Sequence, residues 1–549
     1  MIQRKRQLPQ TETADVACLC VWESFRFRFI KIQFSLDNSG FSYTFITVKK
    51  RESEMQEVYE TVKIHDKYQF EAKFTYPLDR RRDTNEYQVD TYVFLPNNLY
   101  INKRTYSADD FYGDLHKYIR LRTPVVRLAF MSASADSPMN KLEDAMRRLA
   151  ETPDNPDVIQ TYEDRLKMFC SIMKSALRDE EDDLERELTS ASAPVDIRNY
   201  LKHSDRLLEA YRDLMHIVRF PDIDKKRLNL FKLVDEFLSI TVNKYRYRLY
   251  LALERCPERY DWLEPLLREI AAALRHEVDY RRKCGYPTVP SKNSDNEELI
   301  YRENILKKVM ASVLFLKSDT RRDGVFMTNL VFGIAAGIAM AFATVVTFLS
   351  QNLIFQEFSL TFCAIVILAY MGKDRIKELG RSYLYSMVKS HIFDYKTTIR
   401  STLGKEVGIC RESFSFVSES KLPPDIALLR NKDYISELEN GVVGEDIIHS
   451  KEVLTLHSRY CKEIYSDFNV DGLVDIVRFN VRHFLAKMDN PVKEIFMPDD
   501  VSGIVKVQAK RTYKIHLIIQ CRMNGGKESY ASFRLTLARN GIKRIERLA

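Results

Sequence analysis

Residues 324 to 356 contain no charged side chain, and this constrains the fold more than any other feature of the sequence. After Glu357, a second apolar stretch continues as far as Gly372. One membrane-spanning helix needs about 20 apolar residues, so the two stretches are long enough for two spans. The pattern predicts a transmembrane helical hairpin with spans at residues 325–349 and 353–372. The alternative is a helical hairpin buried inside a soluble protein.

Basic residues flank both ends of the predicted hairpin, whereas its connecting segment contains no Lys or Arg. Cytoplasmic segments are enriched in these residues, so both chain ends are expected in the cytoplasm. A bacterial inner membrane is the expected location, because the sequence shows no long disordered tails. The same cations could also bind anionic lipid headgroups specifically. The juxtamembrane basic residues are Lys307, Lys308, Lys317, Arg321, Arg322, Lys373, Arg375, Lys377 and Arg381.

Three small residues, Gly333, Gly337 and Ala341, recur every four positions in the first predicted span. This spacing places them on one face of a helix, where small side chains allow a second helix to approach closely. Two interpretations follow. The stripe packs against the second span, or it forms a homo-oligomer contact between copies of the chain.

The N-terminal part of the chain shows the signals of β-structure. Apolar and polar residues alternate between residues 68 and 76, which is typical of a half-buried strand. Residues 37 to 40 read Asp-Asn-Ser-Gly, a sequence typical of a turn between strands. These features predict a β-rich cytoplasmic domain at residues 1–131.

Helical signals begin towards the end of this predicted domain. Ser107 and Asp110 form a capping-box pattern, which predicts a helix that ends before Thr123. Farther along, apolar residues between 230 and 253 recur at steps of three and four, as in a helix with one buried face. The sequence therefore predicts a helical bundle at residues 138–294.

The absence of proline between Pro290 and Pro423 permits long helices, because proline is the usual helix breaker. It predicts one long helical hairpin at residues 295–402 that contains both spans and a helical stalk. An α+β cytoplasmic domain is predicted at residues 405–549. This last domain ends in an antiparallel meander, because alternating runs flank Asn524-Gly525. The expected fold class is an α+β multidomain membrane protein.

The sequence contains no motif that identifies a catalytic or ligand-binding site. The nine cysteines are scattered without a C-x-x-C pair, and no catalytic or phosphate-binding motif occurs. We therefore expect no cofactor and no metal. The chain has a net charge of +8, but its basic residues are interspersed with many acidic residues. No nucleic-acid partner is therefore expected.

These features favour a membrane-anchored scaffold or sensor that binds a protein or ligand, and they lean away from an enzyme. The alternative is a membrane-tethered enzyme that acts on a lipid or other anionic substrate. A multimeric pore is a third hypothesis, but the first span offers it only a few polar residues. Those polar residues are Thr328, Asn329, Thr344 and Thr347.

Overall fold

The computed structural model places the chain in two compact units, Met1–Glu57 and Val58–Ala549. The structure contains several β-sheets and many helices, which confirms the mixed α+β fold class. The structure describes residues 19–20, 29–37, 40–46 and 59–548, except 80, 135, 220–223, 258–259, 352–359, 390–391, 402–403, 431–443, 460–469, 500–502 and 527.

The first unit contains a three-stranded antiparallel sheet of β1 (Leu19–Cys20), β2 (Phe29–Asp37) and β3 (Gly40–Ile46). Strands β2 and β3 pair from Lys31 opposite Ile46 to Asp37 opposite Gly40. The pairing therefore ends at the predicted turn, whose two central residues lie outside the described part of the chain.

The second unit contains two larger sheets and a two-stranded ribbon, and all the strands pair antiparallel. Its strands are β4 (Tyr59–Ile64), β5 (Gln69–Pro77), β6 (Thr84–Pro96), β7 (Leu115–Leu121), β8 (Lys317–Arg322), β9 (Tyr395–Arg400), β10 (Glu406–Val417), β11 (Glu445–His457), β12 (Gly472–Asn480), β13 (Val492–Asp499), β14 (Gly503–Lys510), β15 (Tyr513–Met523), β16 (Glu528–Ala538) and β17 (Gly541–Arg547).

The helices of the second unit range from single turns to eight turns. They are α1 (Ala108–Asp114), α2 (Pro138–Glu151), α3 (Pro156–Arg186), α4 (Ala193–Asp213), α5 (Met215–Val218), α6 (Lys225–Glu254), α7 (Leu263–Lys283), α8 (Glu297–Ala311), α9 (Val325–Leu349), α10 (Leu360–Lys389), α11 (Pro424–Arg430) and α12 (Arg482–Leu485).

The two larger sheets share one apolar core. The first has eight strands in the order β17-β16-β15-β6-β11-β10-β9-β8, and the second has four in the order β4-β5-β12-β7. Strand β6 pairs with β15 on one side and with β11 on the other. The segments predicted as separate N-terminal and C-terminal domains are therefore interleaved in both sheets.

Helices α2 to α7 lie in the segment for which the sequence predicts a bundle, and they pack around α3 and α6 together with α8, which belongs to the predicted hairpin segment. Leu166 and Phe169 of α3 and Val234 and Leu238 of α6 are fully buried in this region. The apolar core continues from these helices into the sheets, so the bundle and the sheets form one compact unit.

The predicted long hairpin at residues 295–402 is helical only in part. Helix α8 ends at Ala311, and Lys317–Arg322 forms an edge strand that pairs with Tyr395–Arg400. Six residue pairs join these strands, and the β-branched residues of β9 favour the extended conformation over the predicted helix. Helices α9 and α10 are therefore an insertion between two neighbouring strands, without the predicted helical stalk.

Candidate functional site

Helix α9 is the one described helix that is both long and apolar enough to cross a membrane. The predicted second span belongs to α10, which continues into a charged segment, while residues 352–359 lie outside the described part of the chain. The buried positions of α9 are Val331, Ala335, Ala339 and Ala343, spaced four apart. One face of α9 is thus covered, and the rest of its apolar surface is exposed.

Helices α9 and α10 pack antiparallel, and three contacts fix their register. The rings of Phe332 and Tyr385 lie 6.2 Å apart. A Cβ atom added to Gly380 would lie 3.4 Å from the Cβ of Ala335, and one added to Gly372 would lie 3.4 Å from the ring of Phe342. Gly372 and Gly380 of α10, rather than glycines of α9, allow the helices to approach.

The predicted packing stripe of α9 lies on its exposed surface. Gly333, Gly337 and Ala341 are all exposed, and a Cβ added to either glycine would meet no atom within 4 Å among the described residues. The stripe is offset by two positions from the face that contacts α10. It does not form the contact between the two helices, and a contact between copies stays a prediction.

The predicted juxtamembrane basic residues lie on three different elements. Lys307 and Lys308 belong to α8, and Lys317, Arg321 and Arg322 belong to β8. The other four, Lys373, Arg375, Lys377 and Arg381, lie on α10 alongside the first half of α9. The guanidinium of Arg381 is 5.2 Å from the ring centre of Phe332, which places this charge well within the length of α9.

A second candidate site lies between the two sheets, and the sequence did not predict it. The ammonium of Lys117 on β7 is 2.9 Å from Glu412 Oε1 on β10 and 2.6 Å from Glu452 Oε2 on β11. Asp475 Oδ2 on β12 lies 3.3 Å from the same ammonium. Cys410 Sγ is 3.3 Å from Glu452 Oε1. We call these five residues the Lys117 cluster.

Strand register explains how the Lys117 cluster assembles. Glu412 and Glu452 are directly opposite one another in the β10–β11 ladder, a position in which like charges repel. Lys117 reaches them from the facing four-stranded sheet and separates the two carboxylates. The ion pairs therefore connect the two sheets through their shared core.

The Lys117 cluster is electrostatically unbalanced, because three carboxyl groups share one ammonium. Burial lowers the pKa of Lys117, but the three carboxylates outweigh it and raise that pKa well above its usual range. Burial, together with the charges of Glu452 and Glu412, raises the pKa of Asp475 to about 8 despite Lys117. Burial and Glu452 also raise the pKa of Cys410, so the thiol keeps its proton.

Two buried polar groups at the Lys117 cluster lack hydrogen bonds within the described part of the chain. Asp475 is 1% exposed, and neither of its carboxyl oxygens accepts a hydrogen bond. The hydroxyl of Tyr76, a residue that is 0% exposed, also has no partner, and nearby Glu452 and Asp475 help to raise its pKa. Buried polar groups are normally hydrogen-bonded, so a ligand or a water molecule could supply the missing hydrogen bonds to these two groups.

The Lys117 cluster separates an internal cavity from an open cleft. The cavity, about 80 Å³, lies between the sheets and is mostly apolar, with Lys117, Glu412 and Glu452 in its wall. The cleft, about 350 Å³, reaches Lys117, Cys410 and Glu412 from the other side. Its remaining lining includes Ser318 and Thr320 of β8 and Tyr395 and Thr397 of β9. The cluster is thus accessible from the edge of the sheet that carries α9 and α10.

This arrangement can hold a small cation. The ligand atoms of Cys410, Glu412 and Glu452 lie within 4.8 Å of one another, close enough to surround one ion. The ammonium of Lys117 is the cation there in the structure, so another cation would have to compete with it.

The helix predicted from the sequence extends through Lys117, so the sequence did not predict a buried lysine at this position. The capping box at Ser107 and Asp110 is present, but α1 ends at Asp114 and Leu115–Leu121 is a strand. In that strand Leu115, Lys117, Ile119 and Leu121 alternate with exposed or polar positions, so a charged residue falls in phase with apolar ones. Because Lys117 occupies the same alternating positions as the apolar residues, this pattern was the sequence signal that could have predicted a buried charge.

No protein-family model, curated protein or solved structure matches this chain.

Proposed function

We propose that α9 and α10 anchor this protein in a lipid bilayer and that the remainder of the second unit works outside the lipid as a scaffold or sensor. The observation that carries this proposal is the exposed apolar surface of the helix pair, where Val345 of α9 is 54% exposed, Phe348 of α9 64% and Leu368 of α10 65%. A contiguous apolar surface of this kind is rare on a soluble monomer and typical of a membrane or protein contact.

The sequence pattern supports an orientation of the helix pair in the membrane. Basic residues before α9 and after the apolar part of α10 favour a cytoplasmic position for both ends of the pair. In the sequence-based version of this proposal the protein crosses a bacterial inner membrane twice. The depth to which the pair enters the lipid is a separate question, because the charged segment of α10 lies beside α9.

The Lys117 cluster supports the sensor version over the scaffold version. Its cleft is lined by β8 and β9, and these strands lead directly into α9 and out of α10. A ligand in this cleft would therefore contact the strands that carry the membrane helices. Because the cluster has more carboxylates than ammonium groups, we propose that the ligand is a small cation.

The enzyme alternative has less support. An anionic substrate would be repelled by the carboxylates of Glu412 and Glu452, and Lys117 is already paired with both of them. Histidines that contact a carboxylate, such as His449 with Asp90, lie outside the lining of this cleft. An acid–histidine combination in one cleft, which would have favoured catalysis, is not found among these lining residues.

Membrane extraction tests the anchor. We expect the wild-type protein to stay with membranes after washing with high salt and with alkaline carbonate. Replacing Val345 and Phe348 by lysine should release part of it, because each lysine costs about 2.5–3.5 kcal/mol near the bilayer centre. Val195→Lys is the matched control, since Val195 is an exposed apolar residue on α4. Recovery of the wild type as a monodisperse protein in the soluble fraction would contradict the proposal.

Calorimetric titration of the detergent-solubilised protein with Zn²⁺ and with Ca²⁺ tests the ligand site separately. We expect at least one ion to bind, and Glu452→Gln to weaken binding at least tenfold. Glu546→Gln, at a more exposed glutamate in β17, should leave it unchanged. If neither ion binds, or if Glu452→Gln has no effect on binding, the proposed cation site is contradicted, whereas the proposed membrane anchoring is unaffected.

A further inference from the structure

The register of α9 against α10 divides the helix pair into two halves. Beyond the contact between Phe342 and Gly372, both helices are apolar, and we call this part the tip half. Before that contact, residues 325–341 of α9 are apolar, whereas residues 373–389 of α10 include many charged residues. We call this part the base half.

The base half is a poor fit to the interior of a lipid bilayer. Six of the nine residues between 373 and 381 of α10 are charged, and most of those side chains are well exposed. They lie beside the middle of α9, since Arg381 packs on Phe332 and Gly380 faces Ala335. If α9 crossed the bilayer along its full length, these charges would be at the depth of the hydrocarbon. Each would then cost about 2.5–3.5 kcal/mol.

The tip half, in contrast, is apolar but short. Helix α10 rises about 20 Å from Lys373 to Leu360, at 1.5 Å per residue. The hydrocarbon core of a bilayer is about 30 Å thick.

We propose that the helix pair enters the bilayer from one side by its tip half, to the depth of Lys373, and does not cross it twice. The inference depends on the proposed membrane anchoring and specifies its depth. Lys373 is suited to this boundary, because its ammonium lies 3.4 Å from the ring centre of Tyr370, and Lys and Tyr are typical of the membrane interface.

This insertion leaves the base half of α9 outside the hydrocarbon. Over about 24 Å, from Val325 to Ala341, this half exposes side chains such as Phe326 and Ile334. Gly333, Gly337 and Ala341 lie on the same segment. The predicted contact between copies would cover this surface, and shallow insertion does not depend on it.

Accessibility of single cysteines tests the depth. Gln351→Cys reports the end of α9, and Asp374→Cys reports the base half, both in a chain whose exposed Cys363 is changed to serine. A membrane-impermeant maleimide is applied to intact cells and to inverted vesicles. The native exposed Cys284 on the bundle is the internal control and should react only in inverted vesicles.

Shallow insertion predicts that Gln351→Cys reacts from neither side and becomes reactive only after detergent is added. Asp374→Cys should react in inverted vesicles, as Cys284 does. Two complete spans would instead expose Gln351→Cys to the reagent in intact cells. That result, or protection of Asp374→Cys in inverted vesicles, would overturn the inference. Reaction of Gln351→Cys in inverted vesicles would also overturn it.

A second measurement removes the dependence on cellular topology. A nitroxide attached at Gln351→Cys in protein reconstituted into liposomes reports depth through its relative exposure to oxygen and to a water-soluble nickel complex. We expect a position within the hydrocarbon, and a position at the far interface would contradict shallow insertion. If the wild type does not associate with membranes at all, the proposed anchoring fails as well, so the two failures are distinguishable.

Discussion

The network around Arg212 in the helical bundle and the Lys117 cluster in the sheets both bury charged side chains, but they satisfy them differently. In the bundle, Arg212 donates to Asp235 Oδ1 at 3.0 Å and to Glu277 Oε2 at 2.8 Å. Ser239 donates to Glu277 at 2.6 Å, and the Tyr286 hydroxyl donates to Asp235 at 2.8 Å. Two carboxylates and their cation thus form a network in which each group has several partners.

The electrostatics of the bundle network follow from these bonds. Burial alone would raise the pKa of Glu277, but the hydrogen bonds and charge of Arg212 and the hydrogen bond from Ser239 outweigh it and hold that pKa below its usual value. In the Lys117 cluster burial prevails, and the pKa of Asp475 rises to about 8. Both carboxyl groups are 1% exposed, so the opposite results come from their neighbours: Arg212 and Ser239 favour the charged form of Glu277, whereas Glu452 and Glu412 repel a charge on Asp475.

This difference separates two roles for buried charge. A network with all its hydrogen bonds made is complete without a ligand, and its effect is on the stability and specificity of the fold. The Lys117 cluster, in contrast, includes a buried carboxyl group without a hydrogen bond among the described residues, and its Lys117, Cys410 and Glu412 line an open cleft, which leaves room for a ligand. The comparison can be tested by removing one group at a time from each region.

Removal of the bundle cation should have the largest effect. Arg212→Met leaves Asp235 and Glu277 buried with fewer partners, so we expect the free energy of unfolding to fall by about 3–5 kcal/mol. Urea denaturation of the solubilised protein, followed by circular dichroism, measures it. Arg198→Met is the control, because its pair with Glu269 is solvent-exposed and its loss should not shift the midpoint. A small effect for Arg212→Met would mean that the network is not structural.

The sequence could predict which residues form strands and helices more readily than which strands pair. Alternation between residues 68 and 76 correctly indicated β5, and Asn524-Gly525 lies where β15 turns into β16. The pairing of β6 with β11 and β15 joins segments hundreds of residues apart in the chain. Periodicity specifies the buried face of a strand but carries no information about its neighbour.

The Lys117 cluster could not be predicted from the sequence for the same reason. Its members come from four strands, at positions 117, 410, 412, 452 and 475, so no local motif could bring them together. The apolar stretch at residues 325–349, by contrast, coincides with α9, because its hydrophobicity is a local property. The depth of insertion depends on the register of α9 against α10, which again requires the tertiary structure.

Loss of one hydrogen bond in the bundle network should have an intermediate effect. Tyr286→Phe removes a donor to buried Asp235, and hydrogen bonds to charged groups contribute about 1.5–3 kcal/mol. We expect a decrease of that size in the free energy of unfolding, measured by urea denaturation. Tyr247→Phe, at a half-exposed tyrosine of α6, should cause no comparable loss. If both variants behave alike, the hydrogen bond to Asp235 does not matter for stability.

Asp475→Asn should change how stability depends on pH. The folded state holds a proton on Asp475 up to about pH 8, whereas an unfolded aspartate releases it near pH 4. The folded state therefore binds more protons between these values, and its stability from this group falls as pH rises through that window. Lys117, Glu412, Glu452, Cys410 and Tyr76 face this carboxyl group and would remain.

We expect Asp475→Asn to lose less stability than the wild type between pH 5 and pH 8, as measured by thermal unfolding at several pH values. Asp136→Asn, at a fully exposed carboxyl group, is the control and should keep the wild-type pH profile. If the profiles of wild type and Asp475→Asn are parallel, Asp475 is ionised in the folded protein, and the Lys117 cluster is balanced in a way that the structure does not show.

Tyr76→Phe should have the smallest effect on stability and gives the closest match to Tyr286→Phe. Tyr286 is partly buried and Tyr76 is fully buried, but the Tyr76 hydroxyl has no hydrogen-bond partner among the described residues. Removing an unpartnered hydroxyl should leave the free energy of unfolding unchanged or raise it by up to about 1 kcal/mol. If the hydroxyl serves a ligand, cation affinity should fall while stability does not. A loss of stability as large as that of Tyr286→Phe would place both tyrosines in the same structural role.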